Sequence, residues 1–580
     1  MSSLEEYRAG HTAIPATMTR WHLYGAGLEN MGRDGQPEVV EVPAYGADEI
    51  LVRQDACGLC FSDTKVIGLG ENHPRLTGRD LSTDPVTLGH EVSCTVVGIG
   101  ANRGGQFQIG DRFTIQADVF YKGKSLAYGY VFKGGLSEYS VIPKEVIDGD
   151  EGCYLLPIQK LTGYVESALT EPWACVVSAY AQSHRDGILA NGRMLVLGHP
   201  SADDINFDWK SLLSVGRSPK EIVFWNVTGL AFHTLGAWAE ALDIPVTKVN
   251  AEDWKSLQTY PDVRFDDILV LGNVSAEAVE GASSALANHG IVNFVGGQTF
   301  DRKLSLDIGR IHYNWHYYLG TSTTSPADSY REARTADLVP NGLAWFIGAG
   351  GPMGQMHVQR AIQHWSPPRR VVATDVDAVR LASVVERFGG IAAERGIELV
   401  TINPKEMSTE EFNAKLEALG EGRGFDDIVS MVPVAALIEH AADFLAQGGW
   451  FNIFAGVARG TMAALDVNTV IHKRARFMGS SGSSLSDMRE TLARVERREL
   501  STNASLAAIG GMEAAAEGLK AVKEGWFPGK TLIFPLIHGL GLTPLADLEV
   551  VYPTVFAKLK EGKFWTNEAE EELLKLTVAG

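Results

Sequence analysis

Cys60, in the run Gly58-Leu59-Cys60-Phe61-Ser62-Asp63, stands thirty residues before His90, in the run Leu88-Gly89-His90-Glu91-Val92. Eighty residues beyond Glu91 comes Glu171-Pro172. A thiolate, an imidazole and two carboxylates form a ligand set that borderline-soft Zn²⁺ accepts. Mixed sulfur, nitrogen and oxygen coordination with one exchangeable position is typical of a catalytic zinc rather than a structural one. The set predicts one zinc per chain, held by Cys60, His90 and Glu91 or Glu171. Which glutamate binds directly is left open by the sequence.

A second chemistry lies further along. Gly348-Ala349-Gly350-Gly351-Pro352-Met353-Gly354 follows an apolar run, and Arg370-Val-Val-Ala-Thr-Asp375 ends another with an acid. Glycines at such a loop admit a pyrophosphate to backbone amides at a helix N-terminus. The strict Gly-x-Gly-x-x-Gly register fails, because Met353 holds the third glycine position and Gly354 follows it. An acid at Asp375 would take the ribose hydroxyls and repel a 2′-phosphate, so NAD is expected over NADP.

Together these runs resemble the zinc-dependent medium-chain dehydrogenase/reductase superfamily, in particular its sorbitol dehydrogenase and L-sorbose-1-phosphate reductase branch. Gly-Pro variants of the nucleotide loop also occur there. The resemblance implies a β-rich, GroES-like catalytic domain and hydride transfer between NAD and the carbinol carbon of a polyol, sugar or sugar phosphate. It casts Ser62 as the group that takes the alcohol proton. Five places after the cysteine, where many relatives have a histidine to complete the relay, stands Lys65. That departure puts the relay in doubt and favours an acidic or phosphorylated substrate, to which Arg75, Lys122 and Lys124 could add charge. Asp63 is expected to orient a ligand rather than act as a base. The four-cysteine lobe that many relatives carry after the Gly110-Asp111-Arg112 turn is absent, so no second zinc is expected. Cys175 leaves a small opening for a cysteine as third ligand. The competing readings are an epimerase or lyase that retains NAD, and a non-catalytic metal- and nucleotide-binding scaffold.

Elements must hold these groups. Short β-rich pieces at Glu49 to Gln54, Ser93 to Gly98, Arg112 to Gln116 and Ser137 to Ile142 suggest a rolled, partly open barrel. Cys57 and Cys94 read as packed strand hydrophobes. From Asn191, apolar runs alternate with amphipathic stretches, the pattern of parallel βα units. That pattern occurs twice. Asn191-Gly192 pairs with Asn341-Gly342, Phe265-Asp-Asp-Ile with Phe425-Asp-Asp-Ile, Gly290 with Gly449, Ile311-His312 with Ile471-His472, and Leu319-Gly320 with Met478-Gly479, at offsets of 150 to 160. A tandem duplication of a Rossmann-type, doubly wound parallel-sheet domain is expected. Copy one has Gly198-His-Pro-Ser-Ala-Asp203-Asp204 at its loop and Asn226 in place of the acid, so it reads as a structural or interface module. The expected division is residues 1–188 for the first part of the GroES-like domain, 189–338 for the degenerate copy, 339–486 for the NAD-binding copy, and 487–580 for a return to the catalytic domain with an amphipathic helical tail from Pro553 to Leu576.

Bulk properties narrow the partners. A chain of 580 residues suggests several domains, and 45% apolar with 21% charged content is ordinary for a globular protein. A formal charge of −20 disfavours nucleic acid and anionic membranes. Five cysteines argue against a disulfide framework, and no apolar stretch reaches membrane-helix length. The start, Met1-Ser-Ser-Leu-Glu-Glu, lacks the pattern of a signal peptide. A cytoplasmic homo-oligomer, dimer or tetramer, is expected.

Overall fold

The structure, a computed structural model, describes residues 3–578 apart from 77, 215, 251–263, 333 and 481. The chain forms two compact units. One comprises residues 1–177, 351–356 and 482–580, the other 178–350 and 357–481.

The first unit is built on an eight-stranded sheet. Its central strands are Ile50–Gly58 and Glu91–Ile99, antiparallel to each other, followed outward by Arg112–Ile115 and Leu155–Pro157. On the other side Lys530–Phe534 pairs with Ile50–Gly58, and Leu506–Gly511 runs parallel beside it. Tyr139–Ile142 also pairs with Ile50–Gly58. The strand at Ile50 runs four residues beyond Gln54. Arg53, Gln54 and Asp55, three polar residues in succession, are all buried. Arg53 and Asp55 satisfy each other: Arg53 lies 2.7 Å from Asp55, which also accepts from the Tyr7 hydroxyl at 3.0 Å and the Thr95 hydroxyl at 2.5 Å. The C-terminal tail is not one helix. Short Pro553–Phe556 and longer Asn567–Thr577 are separated by a turn in which Glu561 and Gly562 both have positive φ.

The second unit holds two parallel six-stranded sheets, each in the order 3-2-1-4-5-6 of doubly wound nucleotide folds. In copy one this order is Val246–Val249, Glu221–Trp225, Arg193–Gly198, Phe265–Leu271, Leu286–Val295 and Tyr317–Thr321. In copy two it is Glu398–Ile402, Arg370–Thr374, Leu343–Ile347, Phe425–Ser430, Leu445–Ile453 and Arg476–Met478.

The repeated Phe-Asp-Asp-Ile run has a physical reason. Asp266 and Asp426 accept from the amides of Arg193 and Leu343, which begin the first strand of each copy. Asp267 and Asp427 are buried; each accepts a backbone amide, from Leu189 or Val339, and an arginine, Arg185 at 2.9 Å or Arg334 at 2.7 Å. One landmark shifts by a residue. Asp307 and Asp466 cap the equivalent helices Ile308–Tyr313 and Val467–His472, so Ile311 matches Val470 and His312 matches Ile471. The shared Ile-His letters are a coincidence of composition, and N-capping sets the register. No helix among the described residues is long and apolar enough to cross a membrane.

The buried pair in the central strand supplies a test. Asp55→Asn leaves the Arg53 guanidinium without a counter-charge, and loss of one partner of a buried pair costs about 3–5 kcal/mol. Denaturant unfolding should register a loss of that size, with recovery when Arg53→Met is added; unchanged stability would contradict the pairing.

Candidate functional site

Candidate ligand atoms of Cys60, His90 and Glu91 all lie within 4.8 Å of one another. Cys60 sits at the N-terminal end of helix Phe61–Leu69, at the end of the strand Ile50–Gly58; His90 and Glu91 lie where the neighbouring strand begins. Asp63 ties the two sides together. One of its oxygens accepts from the Cys60 amide at 3.0 Å, and the other lies 3.1 Å from His90 Nδ1. This leaves Nε2 as the coordinating nitrogen, the arrangement an orienting carboxylate gives a metal-bound histidine.

Glu91 is held by a residue the sequence reading did not select. Lys530 Nζ lies 2.6 Å from Glu91 Oε1 and donates to the Leu59 carbonyl at 2.9 Å. Both side chains are buried. Burial works against the lysine charge, but Glu91, with Cys60 and Glu171 beyond it, keeps the ammonium's pKa raised. The second oxygen, Oε2, is buried with no hydrogen-bond partner in the structure. A Cβ at Gly58 would collide with that oxygen, so the carboxylate occupies space that only glycine leaves open. A buried, unpartnered carboxylate oxygen beside a thiolate and an imidazole fits a divalent cation. The signal for Lys530 was a lone cation opening the apolar strand Lys530–Phe534.

Glu171, in helix Thr170–Ser178, lies outside this three-residue group but close to it. Burial pushes its carboxyl up to about 7; His90 opposes the shift and Glu91 adds to it. Cys175 is a neighbour of Glu171 and Cys60, and burial raises its thiol well above the usual range. Burial does the same to Cys57, in keeping with a packed hydrophobe.

Ser62 Oγ is 2.9 Å from Cys60 Sγ and 3.4 Å from His90 Nε2. Tyr130, which the sequence reading also passed over, is nearly buried beside them. Its ring centroid is 5.6 Å from those of both His90 and His73, and its side chain shares a hydrogen bond with Ser62. Arg75 lies 5.2 Å from the Tyr130 ring and 2.5 Å from Asp118. Lys65 is exposed on the helix after Cys60, with Nζ 5.9 Å from the Phe61 ring. Lys122 and Lys124 belong to the exposed tip of the hairpin formed by Asp118–Tyr121 and Lys124–Ala127.

In copy two, the amides of Gly348 and Ala349 donate to the Thr374 carbonyl, and that of Gly350 donates to Asp375 Oδ2 at 2.9 Å. A Cβ at Gly350 would meet Arg380 Cβ at 2.6 Å and Asp375 Oδ2 at 2.9 Å. Gly351 precedes helix Pro352–Gln363, so Met353 and Gly354 occupy its first turn, and a proline at the first position suits a helix start. Copy one differs. Among the described residues between its first two strands, the only helical piece is the short turn Pro200–Ala202. Its loop folds onto the chain itself: Asp203 accepts from the Thr228 hydroxyl at 2.6 Å and from the Leu230 amide at 2.6 Å, and Ser201 accepts from the Asn273 amide at 2.9 Å.

Two family models match the chain: the alcohol dehydrogenase GroES-like domain over residues 46–148, and the zinc-binding dehydrogenase over residues 352–497. These two stretches carry domains of the zinc-binding alcohol dehydrogenase kind, and the relatives they share are named dehydrogenases and reductases, so the chain is an oxidoreductase. Mannitol-1-phosphate 5-dehydrogenase of Aliivibrio fischeri is 24% identical over 94% of this chain and 95% of its own. That alignment necessarily runs through both sheet copies. L-sorbose 1-phosphate reductase of Klebsiella pneumoniae is 29% identical over 53% of this chain and 75% of its own. An alcohol dehydrogenase structure from Thermotoga maritima shares the fold at 14% identity, with a TM-score of 0.50 over 90% of this chain and 100% of that one.

The site's architecture gives a prediction for metal retention. Lys530→Met should lower zinc content below the one equivalent per chain expected of the parent, because Glu91 loses its counter-charge and its fixed position. Elemental analysis after dialysis reads it, and a fully loaded variant of unchanged stability would contradict the role given to Lys530.

Proposed function

We propose that the chain is a zinc- and NAD-dependent dehydrogenase acting on a secondary hydroxyl of a polyol phosphate or sugar phosphate. The observation that carries this reading is the cluster of half-buried Cys60 with buried His90 and Glu91, whose second carboxylate oxygen has no hydrogen-bond partner among the described residues. Cys60, His90 and Glu91 would hold the zinc, and Glu171 stands by as a further oxygen donor. When bound, zinc supplies a Lewis acid that lowers the pKa of the substrate hydroxyl, and NAD⁺ supplies the hydride acceptor.

The chain's own residues do the rest. Asp63 fixes the His90 tautomer, and Lys530 fixes the Glu91 carboxylate. Ser62 Oγ, between Cys60 and Tyr130, would take the hydroxyl proton as it passes its own outward to solvent. Arg75 beside Tyr130 would meet an anionic end of the substrate, and Lys65 adds charge nearby. The named activities of the relatives from Aliivibrio fischeri and Klebsiella pneumoniae, and of the D-arabitol-phosphate dehydrogenase of Enterococcus avium, support a phosphorylated substrate. Copy two would bind the dinucleotide at Gly348, Gly350, Gly351, Met353 and Gly354, with Asp375 selecting NAD. Five free cysteines support a reducing, cytoplasmic setting.

A panel of polyols and their monophosphates, offered with NAD⁺ or NADP⁺, tests the reading through the absorbance of reduced nicotinamide. The expected result is net NADH formation with a phosphorylated polyol, lost in Cys60→Ala. Interconversion of sugars without net NADH would favour the cofactor-retaining epimerase instead. Arg75→Gln should raise KM for the phosphorylated substrate about tenfold or more, the cost of roughly 1.4 kcal/mol, with little change for its unphosphorylated counterpart. Asp375→Ala should erode the preference for NAD⁺, and a parent enzyme that prefers NADP⁺ would sink the assignment of that acid.

A further inference from the structure

Copy one has kept its sheet while its nucleotide loop has closed on itself, and its contacts with copy two say what it is for. The strand Leu304–Asp307 of copy one pairs antiparallel with Met462–Leu465 of copy two in the register Leu304 to Leu465, Ser305 to Ala464, Leu306 to Ala463 and Asp307 to Met462. The two strands are equivalent in the duplication and lead directly into equivalent helices capped by Asp307 and Asp466. Exchanging the copies carries Leu304–Leu465 onto Leu306–Ala463 and leaves Ser305–Ala464 in place. The pairing therefore obeys a two-fold axis through Ser305 and Ala464.

A second pair of contacts obeys the same axis. A Cβ on Gly320 would meet Ile471 Cα at 2.8 Å, and one on Gly479 would meet His312 Cα at 2.5 Å. Adding 159 turns Gly320 into Gly479 and His312 into Ile471. Gly320 and Gly479 close the corresponding edges, since Tyr317–Thr321 is the last strand of the first sheet and Arg476–Met478 that of the second.

Contacts related in this way are the mark of an isologous interface, the kind by which two identical subunits make a closed dimer. This one is core-like. Leu304, Leu306, Ile308, Ile311, Leu465, Val467, Val470 and Ile471 are buried and belong to one apolar cluster drawn from both copies. Without copy one, the copy-two half of that surface and the adjoining sheet edge would face water, an aggregation hazard.

We propose that copy one is a built-in dimer partner. It is a second nucleotide-type domain, with its cofactor loop closed, that occupies the face by which copy two would otherwise pair with another chain. The protein is then self-sufficient at this face, and any homo-oligomer must use another.

Cysteines on the axis test this. Ser305→Cys and Ala464→Cys place thiols on directly opposed residues, within the Cα separation a disulfide tolerates. With diamide as oxidant, the double variant should give a cross-linked monomer on non-reducing gels, and each single variant should give no more dimer than the parent chain. Covalent dimers from either single variant would mean that like copies pair between chains, and dimers or no linkage from the double variant would mean that the internal pairing is wrong; each overturns the proposal. Hydrogen exchange on the unmodified chain provides the second reading. Protection at residues 304–307 and 462–465 should not change on hundredfold dilution, because an intramolecular interface has no concentration term. Protection that falls on dilution would overturn the proposal as well.

Discussion

The ion pair between Glu91 and Lys530 is the constraint on which the first unit depends. A carboxylate with no solvent needs a counter-charge, and leaving it alone costs several kcal/mol. That counter-charge comes from 439 residues away in sequence. The strand Lys530–Phe534 must therefore return and lie against Ile50–Gly58, with Leu532 opposite Gly58 and Ile533 opposite Cys57. One pairing delivers the lysine to the carboxylate and completes the sheet that carries Cys60. The strand that closes the sheet is also the one that holds the candidate ligand Glu91, and in sequence the second unit is inserted between the two halves of this sheet.

The duplication shows how one scaffold can be kept while its chemistry is dropped. Both copies retain the paired aspartates that anchor their first and fourth strands, because those serve folding. Among the described residues, only copy two has a helix directly after its first strand, with glycines before it, the arrangement a dinucleotide would need. In copy one the Asp203 carboxylate and carbonyl already take the donors of Thr228 and Leu230. Selection on packing and selection on binding have separated within a single chain.

Much of this was legible in advance, for identifiable reasons. The runs that carry Cys60, His90 and Glu91 are short, local and chemically rare, and the parallel strands read as unbroken apolar runs, so the residues that the structure brings together and the doubled fold could be read from residue types. What escaped is non-local. Lys530 acquires meaning only through its strand partner, and Tyr130 only through the side chains it stacks upon. Arg53 and Asp55 looked like the end of a strand because their mutual neutralisation is invisible in one dimension. The match of His312 to His472 failed because identical letters competed with the capping aspartates that set the register. The break in the C-terminal tail follows from two consecutive residues with positive φ, of which only Gly562 announces itself.

The most direct test of the central claim is zinc K-edge X-ray absorption on the purified, zinc-loaded enzyme. Coordination by Cys60, His90 and a carboxylate predicts a single sulfur neighbour at about 2.3 Å, with the remaining ligands nitrogen or oxygen at about 2.0–2.2 Å. Two or more sulfur neighbours would bring Cys57 or Cys175 into the coordination sphere, and none would remove Cys60 from it. Either result would contradict a site built on one thiolate, one imidazole and a carboxylate held in place by Lys530.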